Sequence, residues 1–131
     1  MPTYDREEFV PPAPVAHVTL RNRANGKQQH NVAMLIDTGA DVTLVPKAVL
    51  AELELAPLLE SRYELVGFDG GSSFAAVVQL ELVFCQRSYK GQFLVGDQSW
   101  GILGRNILNT VRLLFDGPKT QWEEFRGSKT E

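Results

Sequence analysis

An acidic side chain interrupts an apolar stretch of the chain, between residues 34 and 46. The segment Met34–Ile36 is apolar and suited to a strand, and a second apolar run follows a few residues later. Between them stand Asp37, Thr38 and Gly39. Burying a carboxylate among apolar groups costs free energy unless the group is paired or protonated, and glycine permits a turn that a β-carbon would hinder. The pattern predicts a strand that delivers one carboxylate into a tight loop at the edge of an apolar interior.

This tripeptide by itself also fits an ordinary strand that ends in a polar turn. A second stretch, residues 101–109 (GILGRNILN), again runs two branched apolar residues into a glycine and continues with a short helical pattern. In this order and at this separation, the two stretches resemble the retroviral-type aspartic proteases, or retropepsins. The resemblance extends over about residues 15–115. It implies an all-β, single-lobe acid-protease fold with a hairpin flap and one or two short helices.

Length and charge limit the classes of protein that fit the chain. A chain of 131 residues suits one domain with a real core. The net charge of −3 offers no basic surface for nucleic acid or an anionic membrane. No apolar run reaches the roughly 18 residues of a membrane span, and the acidic N-terminus does not fit a signal peptide. We therefore expect a cytoplasmic protein without nucleic-acid or membrane partners.

The content of cysteine and histidine argues against metal or thiol chemistry. The single cysteine, Cys85, lies in an apolar strand pattern and is predicted to fill space rather than to act as a nucleophile. His17, His30 and this cysteine do not form a metal-ligand pattern. No metal and no other cofactor is expected.

Three segments are predicted along the chain: a proline-rich N-terminal arm (1–14), a retropepsin-like domain (15–126) and a C-terminal tail (127–131). Short helices are predicted from Pro46 to about Leu53, because proline suits the first helical position, and over 104–109. The resemblance identifies the ribbon that turns at its glycine-rich tip as the flap. Alternating apolar residues and turn residues predict the strands, which are 15–20, 28–36, 42–45, 62–68, 72–85, 89–95, 111–115 and 121–125.

The resemblance also assigns roles to single residues. Asp37, Thr38 and Gly39 would form the catalytic motif, with Thr38 bonded across a dimer axis and Gly39 admitting the substrate backbone. Arg105 would give structural support by pairing with Asp41. Substrate-binding roles fall on the loop after the acid, the flap tip and the residues before the second glycine: Ala40, Asp41, Val42, Gly67, Phe68, Asp69, Gly70, Trp100 and Ile102.

Aspartic protease chemistry needs two facing carboxylates around one water, one acting as general base and the other as general acid. Asp37 alone is followed by a hydroxyl residue and a glycine within apolar flanks, since Asp69 and Asp116 lack the hydroxyl. A two-fold axis places a residue opposite its twin, so the resemblance implies a homodimer in which two copies of Asp37 form the pair. The implied activity is that of an aspartic endopeptidase, which hydrolyses peptide bonds in extended peptide or protein substrates.

Several features depart from the viral pattern. Val42 is apolar where many retropepsins carry a polar group, Asp69 places a charge at the flap tip, and Trp100 is bulkier than the usual aliphatic residue. The arm and the longer C-terminal part are closer to cellular and bacterial retropepsin-like proteins. They predict a dimer interface that differs from the interlaced terminal strands of the viral enzymes.

Two other functions stay open from the sequence. One is a non-catalytic, dimeric peptide-binding or dimerisation module on the same fold, since a fold does not determine a function. The charge of Asp69 keeps this alternative open, although the intact Asp37-Thr38-Gly39 motif favours the protease. A purely structural β-domain with a coincidental motif would be favoured by a monomeric mass in solution.

Overall fold

The computed structural model describes residues 2–58, 62–66 and 72–126, which contain ten strands and two short helices. The helices are α1 (Ala48–Leu53) and α2 (Arg105–Leu108), and within these residues neither is long and apolar enough to cross a membrane. The predicted all-β architecture with one or two short helices is confirmed. The strands are β1 (Tyr4–Asp5), β2 (Ala13–Arg21), β3 (Gln28–Ile36), β4 (Leu44–Pro46), β5 (Arg62–Val66), β6 (Ser72–Phe84), β7 (Arg87–Gly96), β8 (Gly101–Leu103), β9 (Leu113–Asp116) and β10 (Gln121–Glu124).

Eight of these strands form one sheet that closes on itself. Their order is β1-β2-β3-β8-β4-β7-β6-β5, and an additional pairing of β2 with β6 joins the two sides. Most neighbours run antiparallel, whereas β3 with β8 and β4 with β7 run parallel. Side chains alternate between the two faces of each strand, and the inward set forms the core. Its most buried members include Leu20, Met34, Val45, Val78, Leu82 and Leu103.

A hairpin of β5 and β6 extends from this sheet. The two strands pair antiparallel in the register that places Val66 opposite Ser72, as the ribbon pattern predicts. The second half of β6 continues into the closed sheet, where it pairs with β7. Outside the described residues lies the predicted flap tip: Gly67, Phe68, Asp69 and Gly70.

Helix α1 begins two residues later than predicted. Pro46 is the last residue of β4 and lies opposite Gly96 of β7. The amide of Lys47 still donates to the carbonyl oxygen of Gly96, at 3.0 Å. Pairing with β7 therefore holds the chain extended past the proline, and the prediction of a helix start at Pro46 is wrong. The short helix packs Val49 and Leu53 against the core.

The last two strands form a separate hairpin that the N-terminal arm covers on one side. β9 and β10 pair antiparallel in a two-stranded sheet. The amide of Tyr4 donates to the carbonyl oxygen of Thr120 at 2.8 Å, and the amide of Trp122 donates to that of Pro2 at 3.0 Å. The indole of Trp122 is buried and donates to the carbonyl oxygen of Val15 at 3.1 Å. The hairpin is thus attached both to the arm and to the closed sheet.

Candidate active site

The acidic loop follows directly from the end of β3. Met34 and Ile36 are buried in the core. The amide of the next residue, Asp37, donates to the carbonyl oxygen of Leu103 in β8 at 3.1 Å, which holds the start of the loop on the sheet. Beyond this point the chain leaves the sheet, and Asp37 itself is only partly buried. The structure therefore contains a strand that delivers a carboxylate to the edge of the core.

Backbone amides organise the Asp37 carboxylate. Its Oδ1 accepts a hydrogen bond from the amide of Gly39 at 2.9 Å. The amide of Ala40 donates to the Asp37 carbonyl oxygen at 3.2 Å, which closes a tight turn. A β-carbon on Gly39 would lie 3.1 Å from the same Oδ1, so a side chain there would crowd the carboxylate. One carboxylate oxygen is thereby oriented by the loop itself.

The turn between β8 and α2 packs directly against this loop. Gly104 has no room for a side chain, because a β-carbon would overlap the carbonyl oxygen of Val42 and lie 2.5 Å from its carbonyl carbon. The amide of Arg105 donates to the carbonyl oxygen of Ala40 at 2.8 Å. Its guanidinium Nη1 donates to the carbonyl oxygen of Thr38 at 2.7 Å. The two stretches that stand out in the sequence are therefore one structural unit.

The resemblance implied that Arg105 pairs with Asp41. In the structure, Arg105 instead donates to the carbonyl oxygen of Thr38. Across residues 2–58, 62–66 and 72–126, Asp41 has no ion pair, and its side chain is exposed. Arg105 still supports the loop, but through the carbonyl of Thr38 rather than through a carboxylate. The Asp41 carboxylate remains accessible beside the acid.

Thr43 belongs to this unit although the sequence analysis did not single it out. The residue is buried, with 2% of its surface exposed. Its hydroxyl accepts a hydrogen bond from the amide of Gly104 at 3.0 Å and donates to Oδ1 of Asn106 at 2.7 Å. The available signal was a lone hydroxyl between Val42 and Leu44, because a buried hydroxyl needs a partner.

The predicted substrate-binding residues fall into separate groups in the structure. Ala40, Asp41 and Val42 follow the acid in the loop, and Val42 packs against a small apolar cluster on β6 and β7. Ile102 lies in β8 opposite Leu35 of β3, one strand away from the loop. These residues are brought together with Asp37. The flap-tip residues lie beyond the part of the chain that is described.

Trp100, another predicted substrate-binding residue, contacts the N-terminal arm. The centroid of its ring lies 4.8 Å from that of Phe9, and the ring planes are inclined by 60°. This separation is within the range of stabilising aromatic pairs. The arm therefore reaches the loop that precedes β8. Phe9 is a neighbour that sequence analysis did not identify, since it stands alone after an acidic segment without any periodic pattern.

The sole thiol is not suited to chemistry. Burial, followed by the nearby carboxylate of Glu124, raises the pKa of Cys85 to about 11. Since the thiolate is the nucleophilic form, this side chain is a poor nucleophile at neutral pH. In the described part of the chain, no group of three or more His, Cys, Asp or Glu residues is placed to hold a metal ion.

One carboxylate can accept a proton from a water, but it cannot at the same time supply a proton to the group that the water attacks. The loop contains two acids: Asp37, whose carboxylate accepts the Gly39 amide, and Asp41, whose side chain is exposed and without an amide bond in the described residues. A facing pair of carboxylates that are both oriented in the manner of Asp37 would therefore require a second one from outside this loop.

Comparison with known proteins finds one family model and a solved structure to which the chain is similar. The sequence model of a family described as retroviral aspartyl protease matches residues 11–115. A solved structure, EIAV protease complexed with the inhibitor HBY-793, is similar at 26% sequence identity with a TM-score of 0.56. The similarity covers 82% of this chain and 92% of the EIAV protease chain. No curated protein sequence matches the chain.

Proposed function

Because the chain belongs to the retroviral aspartyl protease family, we propose that it is an aspartic endopeptidase that works as a homodimer on extended peptides. Family membership confirms the resemblance stated from the sequence, and the similar solved structure confirms the single-lobe acid-protease fold. The observation that carries the proposal is the loop at Asp37. The Gly39 amide donates a hydrogen bond to its carboxylate. Arg105 donates to the carbonyl oxygen of Thr38, and Gly104 packs against the backbone of Val42.

In the proposed mechanism, two subunits each contribute one Asp37 to a shared pair. Two carboxylates so close cannot both be charged, so they hold one proton between them and titrate as a unit. The charged member takes a proton from a bound water, which attacks the peptide carbonyl carbon. The protonated member donates its proton to the carbonyl oxygen, and a proton then passes to the leaving amine as the C–N bond breaks. The Gly39 amide keeps one oxygen of each carboxylate in place throughout.

The proposed substrate is an extended peptide that lies across the two loops. An extended chain is gripped through its backbone, while alternating side chains enter separate pockets. We propose that Asp41, which is exposed, binds the substrate backbone, and that Val42 and Ile102 contact substrate side chains through their apolar surface. Trp100 is proposed to narrow one pocket. Gly67, Phe68, Asp69 and Gly70 are proposed to close over the peptide.

The test compares the wild-type protein with Asp37→Asn on casein and on a peptide library. An amide cannot act as the general base, so we expect cleavage between about pH 4 and 7 to fall by at least about 100-fold. The folded structure should persist, because the change is isosteric and the residue is partly exposed. Glu52→Gln, an exposed change of the same kind on α1, serves as the matched control and should keep full activity.

Equal, background-level cleavage by the wild type and by Asp37→Asn would contradict the proposal. That outcome would support the non-catalytic peptide-binding module. A binding assay in which both proteins bind the peptides would then identify that module. A wild-type activity that survives in Asp37→Asn would place catalysis in a different site.

A further inference from the structure

A cavity of about 510 Å³, none of whose lining residues belongs to the Asp37 loop, lies where three segments of the chain meet. The segments are the turn between β6 and β7, the residues between α2 and β9, and the end of β10 with the residues that follow it. Each segment contributes one arginine, and these are Arg87, Arg112 and Arg126. The volume falls within the roughly 300 to 1,000 Å³ of small-molecule sites. We call this cavity the arginine pocket.

The charge of the arginine pocket is opposite in sign to that of the whole chain. The chain has a net charge of −3, whereas the lining within the described residues carries three arginines and one carboxylate, that of Glu124. Oε1 of this carboxylate accepts a hydrogen bond from Nη2 of Arg126 at 3.0 Å. A concave surface lined mainly by one sign of charge concentrates the electrostatic potential. The pocket therefore attracts anions.

Uncharged acceptors help to position two of the guanidinium groups. Nη1 of Arg87 donates to the carbonyl oxygen of Thr110, in the segment that follows α2. Nη2 of Arg126 donates to Oε1 of Gln86, in the turn between β6 and β7, at 2.8 Å. Among the described residues, Nε and the other Nη of both arginines have no acceptor. A guanidinium carries five N–H donors in a planar fork, so each group is held in place while most of its donors remain available to a ligand.

The donors and the apolar part of the lining indicate the chemical class of the ligand. Arginine forks match the oxygens of phosphate groups, to which they donate in pairs. A phosphate monoester carries a charge of about −1.5 to −2 and three acceptor oxygens, so it can accept from more than one arginine at a time. Phe125, which is 51% exposed, and Val111 also line the pocket and offer an apolar surface. The lining therefore suits a phosphate group that is attached to an apolar body.

We propose that the arginine pocket binds a small organic phosphate. The phosphate group accepts hydrogen bonds from the arginines of the three segments, and an apolar or aromatic body lies against Phe125. The bound ligand joins segments that are far apart in the sequence. One of these segments follows α2, and the first residue of α2, Arg105, holds the carbonyl of Thr38 in the acidic loop. Binding therefore stabilises the folded chain at the far end of the helix that braces this loop.

Binding of phenyl phosphate to the wild-type protein is the first test, because this probe combines a phosphate group with an aromatic ring. We expect isothermal titration calorimetry, in a chloride buffer of fixed ionic strength, to give a dissociation constant of about 1 mM or below. The Tm should rise with the concentration of the probe, since a ligand of the folded state stabilises that state. No binding and no rise in Tm at about 10 mM phenyl phosphate would overturn the proposal.

Arg87→Gln and Arg126→Gln test the contacts within the pocket. Each removes one cation, and we expect each to raise the dissociation constant of phenyl phosphate at least about tenfold, because hydrogen bonds between charged groups are strong. Arg23→Gln is the matched control, since it removes the same charge from an exposed arginine between β2 and β3. This variant should bind like the wild type. An equal loss in all three variants would show a general attraction to cationic surface and would overturn the assignment to the pocket.

A gain of binding distinguishes the proposal from damage to the fold. Glu124→Gln removes the carboxylate that opposes an anion in the pocket, and it keeps an oxygen that can accept from Arg126. We expect the dissociation constant of phenyl phosphate to fall at least about threefold. Glu123→Gln removes the same charge from the opposite face of β10 and should leave binding nearly unchanged. Binding that Glu124→Gln leaves unchanged or weakens would overturn the proposal.

Two further probes identify the class of ligand. Inorganic phosphate has the phosphate group without the ring, and benzoate has the ring with a carboxylate of single charge. Both should bind at least about fivefold more weakly than phenyl phosphate. Inorganic phosphate that binds as tightly would reject the organic body, and benzoate that binds as tightly would reject the phosphate group. None of these measurements uses peptide cleavage, so their result does not depend on the proposed function.

Discussion

At the scale of single residues, Glu81 shows how the fold treats a carboxylate that has no catalytic task. Glu81 lies in β6 and is 5% exposed. Its Oε1 accepts a hydrogen bond from Nη1 of Arg21 at 2.7 Å, and its Oε2 accepts one from the hydroxyl of Ser88. The bond from Ser88, supported by Arg21, lowers the pKa of Glu81 although burial acts in the opposite direction. Asp37, by contrast, is partly exposed and is held by a backbone amide.

We expect Glu81→Gln to destabilise the protein in a way that depends on pH. A carboxyl group whose pKa is lowered by folding stabilises the folded state above its unfolded pKa, near 4.3 for glutamate, and this contribution is lost as the pH falls through the folded pKa. Thermal unfolding followed by circular dichroism should therefore show a lower Tm for the variant at pH 7. The difference from the wild type should shrink below about pH 4. Glu52→Gln, on the exposed face of α1, should show no such trend, and a difference that is constant with pH would contradict the assignment.

At the scale of elements, the site depends on the contact between β4, β8 and α2. α2 has four residues, too few to be stable without packing. Thr43 binds the amide of Gly104 just before this helix and the side chain of Asn106 within it. The same turn approaches the backbone of Val42 so closely that it requires glycine. The helix is therefore held by the loop that it braces, and each depends on the other.

Thr43→Val tests whether α2 and the loop that contains Thr43 stabilise each other. Valine has nearly the same shape but neither donates nor accepts, so the buried amide of Gly104 loses its partner. We expect a loss of about 1 to 3 kcal/mol in the free energy of unfolding, measured by urea denaturation. Thr19→Val removes a hydroxyl that bonds to His30 at the surface. As the control it should change stability by less than about 0.5 kcal/mol, and an equal effect of the two substitutions would argue against the role of Thr43.

At the scale of the whole molecule, the proposed activity requires two subunits, because each would contribute one Asp37. The Asp37 loop forms its hydrogen bonds within one chain, and the Gly39 amide of the same chain orients the Asp37 carboxylate. The arm, the hairpin and the closed sheet are joined within the chain, and in the described residues β9 has β10 as its one strand neighbour. The proposed activity therefore belongs to the assembly.

Mixing active and inactive subunits should reveal a shared site. If wild-type and Asp37→Asn chains exchange freely in equal amounts, about a quarter of the dimers contain two wild-type subunits, so activity per wild-type chain should fall to about half. It should fall further as the variant is added in excess. Peptide cleavage measured after equilibration provides the test, with Glu52→Gln as the added chain in the control. Activity that excess Asp37→Asn leaves unchanged would show that one subunit is sufficient.

Features that short-range patterns encode could be predicted from the amino-acid sequence. Alternation of apolar residues located eight of the ten strands in the described residues, and turn residues located the hairpins between them, such as Asn25-Gly26 between β2 and β3. It missed β1 and β8, because strands of two and three residues are too short to show an alternation. The motif at Asp37 and the later Gly104 identified the family, because chemistry and close backbone approach demand particular residue types at those positions. Each of these patterns is contained in a short stretch of neighbouring residues.

Contacts between residues distant in sequence could not be predicted, because they depend on how the strands pack. The tertiary structure kept Pro46 in a strand through pairing with β7, and it directed Arg105 to the carbonyl of Thr38. It also joined Thr43 to Asn106 and placed the N-terminal segment on β10. Each of these contacts links residues that no periodicity connects. Their partners are set by how the closed sheet brings separate strands together, and hydrogen-bond geometry then selects among the groups that become neighbours.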